Sequence, residues 1–183
     1  MKNLKNSKKV EEGNDICGLL LVFPKFIAQE KSAISKMVLQ ENYISLSIMG
    51  LIFMVNGIDF YKKQLLNKKL LASIDFNSMT LPVPNIKKNV TLGQLIHLLK
   101  NRPLISKKYP KLIQHLESFN ITRVDITHKI LMKYKKISEL ERDSERVTKI
   151  GNLIIRDLNK SVHELADDFK RLSIETFKYV KEK

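Results

Sequence analysis

The sequence predicts an all-α fold, on three observations. Glycine and proline, the residues that punctuate many-turned β-folds, number only 6 and 5 among 183 residues. Leucine and lysine, both good helix formers, abound. Apolar residues also recur at steps of three and four over long stretches, the period of a helix with one buried face. With 43% hydrophobic residues the chain can bury one real core.

Residues 1–14 read as a basic lead-in to a single domain over 15–183. The start is charged, the apolar run ICGLLLVF after it is short, and no small-residue cleavage site follows, so the pattern is not that of a signal peptide. A first helix is expected over roughly 16–40, started or kinked by Pro24. A second is expected over roughly 42–72. Its first half, Asn42 to Ile58, has 17 residues without a charge. A membrane-spanning helix needs about 20 mostly apolar residues. This run carries Ser45, Ser47, Asn56 and two glycines and is followed by Asp59, so it reads as the buried central helix of a bundle, with no membrane partner.

Residues 73–90, with Pro82 and Pro84 flanking Val83, read as one long loop. Thr91 and Gln94 have capping-box spacing and open a short helix to about Lys100. NRPLISKKYP reads as a basic turn, and Pro110 fits the first turn of the helix KLIQHLESF. Asn120 and Thr122 are placed to interrupt that helix before RVDITHKILMKYKK resumes it. A long final helix from near Ser138 to about 178 carries Val147, Ile150, Ile154, Leu158, Val162, Leu165, Phe169 and Leu172 at near-heptad spacing. That seam fits either the closing face of the bundle or a dimer contact.

Cys17 is the only cysteine, which excludes an intrachain disulfide and a cysteine-based zinc site and suits a reducing cytosol. The motifs GxxxxGK, GxGxxG, HExxH and Gly-x-Ser-x-Gly are all absent, and the four histidines lack metal-ligand spacing, so no cofactor or metal is expected. His97 and His115 read as packing or surface residues. The net charge of +14 is uneven: residues 100–136 hold 10 basic and 2 acidic side chains, whereas residues 137–183 hold 10 of each. A phosphate-bearing partner would be drawn to the first of these segments.

That basic segment contains FNITRVDITHKIL, Phe119 to Leu131, with Arg123 and His128 five positions apart. Metal-free RNA cleavage needs a proton-transfer group near neutral pKa, which histidine supplies, and a cation on the phosphate, which arginine's fork suits. Asp125, three residues before His128 on the same helix face, is the candidate to orient the imidazole, and Asn120 stands likewise three before Arg123. Lys107, Lys108, Lys111, Lys129, Lys133, Lys135 and Lys136 are candidate contacts to an RNA backbone. Five positions on an ideal helix put Arg123 and His128 about 140° apart. A common target then requires an irregular helix start at Arg123 or a second copy of the motif across a two-fold axis. A second pair, Arg156 and His163, lies in the charge-balanced final helix, where ordinary salt bridging with Glu164 and Asp167 is expected.

The stretch LIQHLESFNITRVDITHKIL resembles the signature region of HEPN domains (higher eukaryotes and prokaryotes nucleotide-binding), in which an arginine is followed, after about four to six residues, by a histidine. The matching residues are Arg123 and His128. The resemblance implies a HEPN-like helical bundle that forms a homodimer and acts as a metal-independent endoribonuclease with a site across the dimer. It also implies a toxin–antitoxin or antiviral-defence setting in the cytoplasm, with an antitoxin or other regulatory protein as a further partner. Other family members are non-catalytic dimerising or binding modules. Val124 stands where active members usually carry a polar residue, so both readings are carried forward.

Overall fold

The computed structural model describes residues 27–71, 90–128, 133–134 and 136–180. The helices among them are α1 (Ala33–Leu66), α2 (Lys68–Leu71), α3 (Leu92–Lys100), α4 (Pro103–Lys108), α5 (Pro110–His128) and α6 (Ile137–Phe177), and no strand occurs among the described residues. The fold is all-α, as the composition and periodicity predict. The basic lead-in, Pro24 and the 73–89 part of the expected loop lie outside the described residues.

Two long helices form the core, and they run parallel. Four contacts fix their direction and register: Gln40 with Thr148, Tyr43 with Asn159, Gly57 with Phe169, and Lys68 with Tyr179. At each step the later residue of α1 or α2 meets a later residue of α6 or its C-terminal turn. Val147, Ile154, Leu158, Leu165 and Leu172 of α6 are buried, so the near-heptad seam closes the bundle within one chain. Their partners on α1 include Met37, Ile44, Ile48, Leu51, Val55 and Ile58. Each such side chain stabilises the fold by roughly 1.5–3 kcal/mol relative to exposure.

A buried amide sits inside this apolar contact. Gln40 is fully buried; its Nε2 donates to the Thr148 carbonyl at 3.0 Å and to Asn152 Oδ1 at 2.8 Å. Gly151 makes the approach feasible, because a Cβ there would fall on the Gln40 side chain. Gly57 plays the same part further along, where a Cβ would meet the ring of Phe169.

Helix α1 is longer than the sequence suggests. The two expected helices join across Glu41 and Asn42, where no proline or glycine breaks the chain, and α1 starts at a Ser32 cap that accepts from the Ser35 amide at 3.4 Å. By length and composition alone α1 is able to cross a membrane, yet half of its most apolar window is buried inside the bundle.

Helix α3 opens with the expected capping box: Thr91 Oγ1 accepts from the Gln94 amide, and Gln94 Oε1 accepts from the Thr91 amide at 2.9 Å. The expected basic turn is instead the short helix α4, with Pro103 in its first turn. Proline's fixed φ and missing amide suit that position.

The expected break at Asn120 and Thr122 does not occur, since α5 is one helix from Pro110 to His128. Thr122 Oγ1 donates back to the Ser118 carbonyl at 3.0 Å, and the Asn120 side chain is engaged by Arg123, so neither is free to cap. Helix α5 runs antiparallel to α6, with Tyr109 near Glu164 and His115 near Asp157.

Candidate functional site

On α5 the residues Leu112, Leu116, Phe119, Arg123 and Ile126 follow one another at steps of four and three. The four apolar members are all buried. Arg123 therefore occupies a place in the core stripe, and its side chain is only 12% exposed. Its Nη1 lies 2.9 Å from Glu41 Oε1 on α1, and its Nη2 donates to Asn120 Oδ1 at 2.9 Å. Its Nε is buried without a hydrogen-bond partner. The arrangement ties α5 to α1 by a partly buried ion pair, and Asn120, one turn earlier on α5, holds the other side of the guanidinium.

His128 is the last residue of α5 and is exposed. The helix is regular from Arg123 to His128, so the 140° separation stands and the irregular-start alternative is gone. Within one chain the two side chains leave the helix in different directions: Arg123 faces α1 and His128 faces outward.

Asp125 accepts from Lys133 Nζ at 3.3 Å, and that bond raises the Lys133 pKa above its ordinary value. Lys133 also lies 5.4 Å from the Tyr134 ring centre, and Tyr134 donates to Asp143 Oδ2 at 3.0 Å. Burial is the main reason that the Tyr134 hydroxyl is shifted upward. These contacts place cationic and polar groups close to the His128 end of α5.

The candidate RNA-contacting lysines fall into two groups. Lys133 pairs with Asp125 near the His128 end of α5, Lys136 caps the start of α6, and Lys129 and Lys135 lie outside the described residues. Lys107, Lys108 and Lys111 are at the opposite end of α5. Seventeen residues separate Lys111 from His128, about 25 Å along the axis.

Arg156 and His163 both sit exposed on the outer face of α6, seven residues apart and so on one side of the helix. Arg156 Nε lies 3.5 Å from Asp157 Oδ1, its chain neighbour, in place of the expected Glu164 or Asp167. His97 Nε2 is 3.1 Å from the Asn101 amide nitrogen, and His115 Nδ1 is 3.6 Å from Asp157 Oδ2. Among the described residues no group of three His, Cys, Asp or Glu side chains is placed to hold a metal ion.

Glu41 was not among the candidates read from the sequence. The signal was there: it is the single acidic residue between Lys31 and Ile58. A lone carboxylate in an apolar helix needs a buried cation as partner.

No family model, curated protein or solved structure gives a significant match to this chain.

Proposed function

We propose that this chain is a HEPN-like, RNA-directed module whose cleaving group is His128, working in a site completed by a second copy. The observation that carries the reading is the exposed imidazole at the C-terminal end of α5, three residues past the Asp125 that pairs with Lys133 and five residues beyond a fixed arginine. In this reading His128 takes the proton from a ribose 2′-hydroxyl. The 2′-oxygen attacks the adjacent phosphorus and the 5′-oxygen leaves with a proton, giving a 2′,3′-cyclic phosphate and a 5′-hydroxyl. The second copy's His128 or a water supplies that proton. Nearby cations offset the charge that builds on the phosphate oxygens. In the free chain Arg123 serves as a positioning residue for the end of α5, and it binds phosphate only if RNA displaces Glu41.

The test compares an RNA with the DNA of the same sequence, both in the presence of EDTA. The expected result is a cut RNA with 5′-hydroxyl ends and an intact DNA, because only RNA carries the nucleophile. Equal cleavage of both, or of neither, would remove the ribonuclease reading.

A second reading is favoured by one observation: both Nη atoms of Arg123 are already satisfied inside the chain. That is the pattern of a helical module that binds RNA or a protein without cutting. The same assay separates the two, since such a module leaves RNA intact.

A further inference from the structure

The chain turns a corner between α4 and α5. Lys107 and Lys108 end α4, Tyr109 makes the turn, and Pro110 starts α5, with Lys111 next. The corner fans these lysines toward two surface hollows that share Lys108. One, of about 470 Å³, lies between α1 and α4 and also takes in Lys62 and Lys107. The other, of about 460 Å³, lies between α5 and α6 and takes in Tyr109, Lys111 and Lys160. Together they make an open basic strip joined at Lys108.

Three carboxylates line the strip: Glu164 and Asp157 have partners, and Asp59 is exposed in the same hollow as Lys62 and Lys107, where the cations outnumber it. Glu164 accepts from the Tyr109 hydroxyl at 2.6 Å and lies 3.1 Å from Lys108 Nζ. Asp157 is shared by His115 and Arg156. Lys62, Lys107 and Lys111 have no ion-pair partner among the described residues, and all three are exposed. Free cations spread over three helices beside the Tyr109 ring match a strand of polyanion laid across them.

We infer that this strip is a second RNA-binding surface, an anchoring site about 25 Å from His128 that holds the phosphate backbone of the same strand. The inference deepens the RNA-directed reading above and rests on it for the choice of RNA over other polyanions. Glu164 acts as a resident anion: it occupies Lys108 until a phosphate replaces it. The strip thereby selects long strands, because a trinucleotide cannot reach both the lysines and His128.

The test measures fluorescence anisotropy of a labelled 20-nucleotide RNA on the full chain carrying His128→Ala, which keeps the RNA intact. Lys107→Glu with Lys111→Glu should weaken binding at least tenfold and flatten its salt dependence. Lys62→Glu, on a different helix, should weaken it severalfold and guards against a folding artefact at the corner; circular dichroism checks each variant. Glu164→Gln should tighten binding severalfold. Unchanged affinity in the charge-reversed variants, or weaker binding in Glu164→Gln, would overturn the proposal. So would tighter binding to polyglutamate or to phosphatidylserine vesicles than to RNA. A parallel cleavage assay with His128 intact separates the two readings: RNA held by the strip but never cut leaves the strip in place and removes the ribonuclease reading, and cleavage of the long RNA that ignores the charge reversals does the opposite.

Discussion

At its C-terminal end α5 turns Arg123 inward against α1, where Glu41 and Asn120 take both Nη atoms. At its N-terminal end the same helix leaves Lys111, and the corner before it leaves Lys107, on the open surface. The residues differ little in charge. What differs is their place on the helix: Arg123 falls on the stripe of Leu112, Leu116, Phe119 and Ile126, and Lys111 falls off it. A basic residue in the core stripe is committed to holding helices together. One outside it remains available to a partner.

The comparison sharpens first in stability. Arg123→Ala leaves Glu41 without its cation in a mostly buried place, and urea unfolding should show a loss of about 2 kcal/mol. Lys111→Ala should change stability by less than about 0.5 kcal/mol. If the two variants unfold alike, the contrast between the ends is wrong. A smaller effect should appear in a double-mutant cycle of Arg123→Ala with Glu41→Ala. There the coupling should be about 1 kcal/mol, and the double variant should be more stable than the sum of the single losses predicts.

The smallest effect is electrostatic. The Tyr109 hydroxyl, then Lys108, hold the Glu164 carboxyl below the usual carboxylate range. Its contribution to stability is therefore present above that usual range and is lost as pH falls through the lowered pKa. Tyr109→Phe removes the largest cause. The Glu164 carboxyl carbon, followed by NMR, should then titrate at a higher pH than in the unaltered protein, and the acid-sensitive stability that Glu164 contributes should shrink. An unmoved titration would show that the tyrosine does not hold Glu164 in solution.

Much of the fold was legible in the sequence. The capping box of Thr91 and Gln94, the extent of α6 and its buried seam follow from local spacing that needs no partner to interpret. The joined helices were less legible. Asn42, Asn120 and Thr122 are residues that favour caps and turns when their side chains reach the backbone. In α5 the Asn120 side chain meets Arg123 and the Thr122 hydroxyl bonds back one turn, so the helix continues. Tertiary and side-chain contacts made that choice, and local propensity does not contain them.

The site was legible in residue types and less so in direction. The angle of 140° between Arg123 and His128 could be counted from the sequence. That Arg123 faces Glu41 could be read only by laying α5's apolar steps over the motif and asking which charge in α1 answers them. Likewise, Lys107 to Lys136 looked like one basic segment, and the regular run of α5 divides it between two ends. Charge density along a chain is a poor guide to charge density in space once a helix of 19 residues intervenes.

The central claim is that His128 is free to do chemistry while Arg123 holds the bundle. It is tested most directly by cleavage of one long RNA by the unaltered protein and by His128→Ala at equal concentration, both with unchanged helical circular dichroism. The account predicts that His128→Ala cuts at least about a hundredfold more slowly, the scale of a lost general base. Cleavage by His128→Ala at the unaltered rate would contradict it.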